Sequence, residues 1–303
     1  MNGIIVLDKP EGFTSFDAVA VVRKLTGERK IGHTGTLDPM ATGVLPILLG
    51  RAAKALSFLP DTDKCYEAGF RFGVLTDTED VTGNTVCEDA EKIEITEEKV
   101  KSALENFTGS IMQIPPMYSA VSVNGQRLYD LARKGIEIER EARGIFVSEL
   151  ILLSFNSEKN EGKLRITCSK GTYVRTLIKD IAISLGFCGG IMTSLRRVTA
   201  CGFNESDAVT LDELKKLKEE NSIERVIRPT EKLFSEYISV KVSEMQEKRF
   251  KNGGELSLTR LKMPRIRLMQ DMVVNVYGEK YIGLGKIDLE TESLKVLKLL
   301  DLD

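Results

Sequence analysis

Asp38 stands between Leu37 and Pro39 in the run GHTGTLDPMATGVLPI, residues 32–47. The proline that follows restricts Asp38 to an extended backbone. Gly32, Gly35 and Gly43 permit tight turns and let another chain approach closely. A carboxylate held on such a loop is ionised near neutral pH and could act as a nucleophile toward carbon or as a general base. The competing reading of the same spacing is an Asp-Pro turn that caps the next helix. No Lys-Ser/Thr follows the glycines, so the run is not a phosphate-binding P-loop. His33 is the one histidine of the chain, which argues against a histidine metal site or a Ser/His/Asp relay. Five cysteines, with no CxxC, argue against a disulfide scaffold or a zinc ribbon and for a reducing cytoplasm.

The elements that must position Asp38 can be read from periodicity and punctuation. GIIVL, residues 3–7, is an apolar run that predicts a buried strand. Ser15 can cap a helix over 16–26, with Phe16, Val19, Val22 and Leu25 at helical spacing and Gly27 as its stop. Residues 27–43 read as loop, and a short helix is expected at 51–58. Residues 66–73 alternate as a strand. Thr96 caps an acidic amphipathic helix over 96–106. Residues 145–154 and 163–169 look like a strand pair. A helix over 172–185 puts Val174, Leu177, Ile178 and Ile181 on one face. Thr210 with Glu213 is a capping box that opens a helix at 211–220. The pattern weakens near 221–236, and a domain boundary is expected near 230–236. Short strand-like pieces follow at Tyr237–Val242, Met272–Tyr277, Tyr281–Asp288 and Leu294–Leu299. Irregularly spaced strands and helices fit α+β rather than repeated βαβ units.

The chain has 303 residues, 42% of them hydrophobic and 29% charged, which suits a soluble protein with one large domain plus a small one, or two of medium size. No apolar run is long enough to span a bilayer. The N-terminal segment has no basic n-region, which argues against a secretory signal. The net charge of −2 is unevenly spread. Residues 61–120 hold five basic and thirteen acidic side chains, whereas 161–200 hold seven and two and 241–267 hold eight and three. Basic stretches in an acidic chain suit either a polyanion-facing surface or simple solvated faces.

The run around Asp38 resembles the catalytic motif of the TruB family of tRNA pseudouridine synthases. Further motifs resemble that family in the same order: VLDKPEGFTS (6–15), KCYEAGFRFGVLTDTEDVTG (64–83), QIPPMYSAVSVNGQRLYDLARKGIEIEREAR (113–143), CSKGTYVRTLIKDI (168–181) and SLRRVTACGF (194–203). The resemblance covers roughly residues 2–205. The C-terminal part is similar, more weakly, to the small PUA-like RNA-binding domain of bacterial members.

That resemblance implies an α+β fold: a pseudouridine-synthase catalytic domain over 1–232, with a mixed, mainly antiparallel sheet flanked by helices, and a β-rich PUA-like domain over 233–303. An RNA-gripping insertion is implied at about 122–145. The implied reaction converts a uridine in the T loop of tRNA, position 55, to pseudouridine, with the base flipped out of its stack. The substrate already contains every atom of the product, so no cofactor, metal or energy input is implied. Asp38 matches the family nucleophile, with attack at C1′ of ribose and at C6 of uracil both open. Arg175 matches the arginine that pairs with it, and Tyr66 the tyrosine that packs on the target uracil. His33 matches a residue that fills the gap left by flipped bases. Lys9 and Tyr173 match a supporting lysine and a second pocket tyrosine, and Leu195 an apolar pocket residue. Arg127, Arg133, Arg140 and Arg143 lie in the insertion, where they could meet tRNA phosphates; Lys170, Lys179, Arg196 and Arg197 could extend that surface. A cytoplasmic monomer that binds the T arm and loop is expected, with no membrane contact. The alternatives are the catalytic subunit of a guide-RNA-directed particle and a non-catalytic RNA-binding module.

Overall fold

The computed structural model describes residues 1–123, 125–263 and 267–300. In chain order its elements are β1 (Gly3–Lys9), α1 (Ser15–Thr26), β2 (Ile31–His33), β3 (Thr42–Leu49), β4 (Lys64–Phe72), β5 (Val74–Thr76), β6 (Thr85–Glu88), α2 (Glu97–Glu105), β7 (Gly109–Gln113), β8 (Ser122–Val123), β9 (Gln126–Arg127), α3 (Leu128–Ala132), β10 (Arg143–Asn156), β11 (Glu161–Cys168), α4 (Val174–Ser184), β12 (Gly190–Ala200), β13 (Phe203–Asn204), α5 (Leu211–Glu219), β14 (Ser239–Lys241), α6 (Glu244–Lys251), β15 (Leu256–Ser257), β16 (Val273–Tyr277), β17 (Tyr281–Asp288) and β18 (Ser293–Leu299). Two compact units result. One is built from Met1–Pro39, Val44–Pro60 and the chain from Cys201 onward, the other from Met40–Gly43 and Asp61–Ala200.

In the first unit β1 lies beside β3, and β2 pairs antiparallel with β3 through Ile31–Leu49, Gly32–Leu48 and His33–Ile47. Ile4, Ile5, Val6 and Leu7 are all buried, as expected of a continuous apolar run in a strand covered on both faces. Residues 27–43, read as loop, thus contain β2 and the first residues of β3. The same unit carries a second sheet in the order β14-β16-β17-β18-β15, closed over Val240, Phe250, Leu256, Val274, Val276, Ile282, Ile287 and Leu294.

Two expectations about α1 are corrected. Thr14, not Ser15, is the N-cap, in a reciprocal capping box with Asp17. Both residues are good caps, and Asp17 at the third helical position decides between them by accepting from the Thr14 backbone N–H at 3.0 Å. Phe16 is 72% exposed, so the buried stripe runs instead through Ser15, Ala18, Val19, Val22 and Thr26. The segment 51–58 is a 3-10 helix beginning at Gly50 rather than an α-helix.

In the second unit the strand order is β12-β4-β11-β10-β7, antiparallel throughout, with α4 and α2 packed against it. Thr42 and Gly43 pair in parallel with Arg196 and Arg197 at the β12 edge. Gly43 has φ +100, and any Cβ there would collide with the Arg197 carbonyl oxygen, so this parallel pairing needs glycine. The sheet is therefore mixed and mainly antiparallel, in an α+β architecture.

Candidate active site

The loop that carries Asp38 is fixed on both sides of that residue. Ser15, displaced from the capping role, turns inward on the first turn of α1. Its Oγ accepts from the Leu37 N–H at 2.8 Å and donates to the Leu37 carbonyl at 3.2 Å. Leu37 itself is buried. On the other side, the Pro39 carbonyl accepts from the Gly12 N–H at 2.9 Å and from Lys9 Nζ at 3.3 Å. Lys9 has no exposed surface. Its ammonium also donates to the carbonyls of Pro10 at 2.8 Å and Phe13 at 2.6 Å, which offsets part of the cost of burying the charge. Asp38 is half-buried between these two anchors. His33, at the end of β2, is half-buried.

Tyr66 lies in β4 opposite Arg197 of β12 and Ile166 of β11; Leu195 lies opposite Ala68. Directly opposed residues point to the same face of a sheet, as do residues two apart on one strand. Tyr66, Leu195, Ala68 and Ile166 therefore share one face, with Tyr66 half-buried and Leu195 8% exposed. Glu67, Arg165 and Arg196 take the other face, where Arg165 pairs with Glu67 at 2.7 Å. Arg197 is fully buried, at 1% exposed, which removes it from the phosphate-facing surface expected of it.

The start of α4 brings Tyr173 and Arg175 into the same unit. Gln113 at the end of β7 clasps the backbone of Tyr173, its Oε1 accepting from the Tyr173 N–H at 2.8 Å and its Nε2 donating to the carbonyl at 3.1 Å. Arg175 is buried. One guanidinium nitrogen donates to the Thr78 carbonyl at 2.9 Å, another to the Tyr118 carbonyl at 3.0 Å, and the Asp80 carboxylate lies 3.6 Å away. Asp80 is itself buried and accepts from Thr78 Oγ1 at 2.7 Å, Thr82 Oγ1 at 2.6 Å and the Thr82 N–H at 2.9 Å. Sequence reading passed over Asp80 and Gln113. The Thr-x-Asp-x-Thr spacing around Asp80 was a usable signal for a self-capped turn; nothing local marked Gln113.

The arginines of the 122–145 segment differ in their engagements. Arg127 and Arg143 are exposed. Arg133 is exposed and its guanidinium lies 5.2 Å from the Tyr129 ring centroid. Arg140 is only 20% exposed and donates to the Pro115 carbonyl at 3.3 Å and to Glu137 at 3.1 Å. Lys179 is engaged by Glu79 rather than turned to solvent. Among the described residues no cluster of three or more His, Cys, Asp or Glu side chains is arranged to hold a metal ion, and no helix is long and apolar enough to cross a membrane.

Two family descriptions cover the chain from residue 23 to residue 235. Residues 23–174 match the TruB family pseudouridylate synthase N-terminal domain, and residues 175–235 match the tRNA pseudouridylate synthase B C-terminal domain. The tRNA pseudouridine synthase B of Clostridium tetani is 42% identical over 302 residues, which cover 99% of this chain and all of that protein. The chain belongs to the TruB family of pseudouridylate synthases. The TruB enzyme of Clostridium acetobutylicum is 41% identical over 304 residues, and that of Oceanobacillus iheyensis is 43% identical over 260, or 86% of each chain. Among solved structures, a chain of a Cbf5-Nop10-Gar1 complex superposes with a TM-score of 0.76 at 25% identity, over 99% of this chain and 85% of that one. TruB membership makes this protein an isomerase that converts uridine to pseudouridine.

Proposed function

We propose that the chain isomerises the uridine at position 55 in the T loop of tRNA, with Asp38 as the nucleophile. The observation that carries this reading is the anchoring of Asp38: both flanking residues are tied to buried groups, which is how a reacting carboxylate is held in one geometry. The target nucleotide leaves its stack at a cost of a few kcal/mol, least for a loop base. Asp38 attacks carbon to give a covalent intermediate, the C1′–N1 bond breaks, the uracil turns over and C5 bonds to C1′; the bond to Asp38 is released, and the proton lost from C5 is balanced by one gained at N1. Arg175 is the cation assigned to pair with Asp38 and orient it. Tyr66 packs on the uracil, and Tyr173 and Leu195 wall the pocket, keeping water from the intermediate. His33 fills the gap left by the flipped bases. Lys9 supports the loop from beneath.

Binding falls to a catalytic domain over 1–232, whose insertion contributes Arg127, Arg133, Arg140 and Arg143, and to a PUA-like domain over 233–303. The working form is a cytoplasmic monomer on the T arm and loop. The likeness to a chain of a Cbf5-Nop10-Gar1 complex keeps a guide-RNA-directed setting as the second reading. End-to-end identity of about 40% to enzymes named tRNA pseudouridine synthase B favours tRNA.

The test is pseudouridine mapping on an unmodified tRNA transcript with wild type, Asp38→Ala and Asp38→Asn. Both variants are expected to bind tRNA and make no product. Product from Asp38→Ala refutes the assignment.

A further inference from the structure

Three consecutive residues, Thr78, Glu79 and Asp80, grip the start of α4. Thr78 and Asp80 hold Arg175. Glu79 goes elsewhere: its Oε2 accepts from Thr176 Oγ1 and its Oε1 from Lys179 Nζ, each at 2.5 Å. Thr176 and Lys179 are three apart and adjacent on the helix surface. Glu79 is 8% exposed and adopts φ +62, a left-handed conformation uncommon for a residue other than glycine or asparagine. That backbone turn is what sends the Glu79 carboxylate to Thr176 and Lys179 while its two neighbours address Arg175. The turn is also tied to β12, because the Glu79 carbonyl accepts from the Met192 N–H at 3.1 Å and the Val81 N–H donates to the Met192 carbonyl at 3.2 Å. Asp180 is a second acid 3.9 Å from Lys179, and burial pushes its carboxyl above the usual carboxylate range.

We propose that Glu79, Thr176 and Lys179 form a clamp that sets the register of the 76–82 turn on α4, so that Glu79 is a positioning residue for Arg175. Glu79 thereby controls the rate of isomerisation without touching RNA. Backbone bonds to β12 fix one side of the turn, and the clamp fixes the other. Without it the Thr78 carbonyl and the Asp80 carboxylate are free to slide along α4, and the guanidinium loses its fixed direction. The inference rests on the reading that Arg175 steadies the nucleophile.

The experiment uses the full chain and an unmodified tRNA transcript, with single-turnover rates and tRNA binding measured separately. Glu79→Gly suits the left-handed backbone, so it removes the clamp with the turn still able to form. It is expected to slow the single-turnover step about ten- to a hundredfold with the tRNA binding curve unchanged. Glu79→Gln, which keeps an acceptor for Thr176, is expected to fall between Glu79→Gly and wild type. Adding Glu79→Gly to Arg175→Ala should cause no further slowing, since the clamp acts through that arginine. A wild-type rate in Glu79→Gly, a slowing matched by an equal loss of tRNA affinity, or additive slowing in the double variant overturns the clamp. A wild-type rate in Arg175→Ala instead removes the role given to Arg175, and the clamp with it. Slow Arg175→Ala beside fast Glu79→Gly overturns the clamp alone.

Discussion

Lys9 is a buried ammonium that donates to three carbonyls, one of them next to Asp38. Methionine in its place fills the volume but leaves the carbonyls of Pro10, Phe13 and Pro39 without that donor. Each buried group left unsatisfied costs about 1–3 kcal/mol. Lys9→Met is therefore expected to lower the midpoint of urea unfolding and, through Pro39, to slow catalysis; a wild-type midpoint contradicts this. Asp80 makes a similar argument through charge. Asp80→Asn keeps the size but takes the negative charge from beside the buried Arg175. The single-turnover rate is expected to drop about tenfold or more while tRNA affinity holds, and an unchanged rate would show that the Thr78 and Tyr118 carbonyls suffice to hold Arg175. Cys168 gives a pH dependence. Burial pushes its thiol up to about 11, from 9.0 when exposed. Between those values the unfolded chain has lost the proton and the folded chain keeps it, so stability is full below about pH 9 and falls as pH rises through the window. Cys168→Ala lacks that part of the fall, and urea midpoints at pH 7.5 and pH 10 read the difference.

At the scale of elements, β3 is the piece whose placement matters most to the site, because it begins four residues after Asp38. Its first two residues run parallel to Arg196 and Arg197, and Gly43 allows the approach. Gly43→Ala combines a strained φ with a collision against backbone, a change of the overpacking type that costs about 1–3 kcal/mol. A melting temperature several degrees lower is expected, and an unshifted one would mean that β3 can give way. This element also marks where sequence reading ran out. The caps at Thr96 and Thr210, the α4 face and the stiff Asp-Pro loop are local signals, and the structure has them. The roles given to Arg175 and Tyr66 come from the resemblance alone. What was not legible is pairing at a distance: β12 as a partner of both β3 and β4, Ser15 bonded to Leu37, Gln113 to Tyr173. Those choices are made by tertiary packing between residues up to 154 apart, as in the Arg196–Thr42 hydrogen bond, and no window along the chain contains both partners. Arg197 shows the same limit, since a basic residue in a strand reads as surface until its neighbours cover it.

For the whole molecule, the problem is to hold a polyanion with a chain of net charge −2. Local excess has to do this, since screening confines each charge to about 10 Å. The small sheet and its flanking helix offer exposed Lys241, Lys248, Arg260, Lys262 and Arg267, and an isolated bridge brings Lys241 beside Lys262. Lys251 is less available, paired with Glu247 at 2.7 Å. If this stretch meets tRNA phosphates, each contact releases counterions, and the logarithm of affinity falls with the logarithm of salt by about 0.7–0.9 per phosphate neutralised. Lys241→Gln, Arg260→Gln and Lys262→Gln together are then expected to weaken binding at low salt, to flatten the salt slope by about 2–3, and to leave the single-turnover rate at saturating tRNA unchanged. The control is Lys215→Gln and Lys101→Gln, whose ammonium groups already pair with Asp212 at 2.8 Å and Glu97 at 2.7 Å on surface helices. An equal slope in both sets would mean that the C-terminal charges are solvated faces and that tRNA is held by the insertion arginines and the catalytic unit alone.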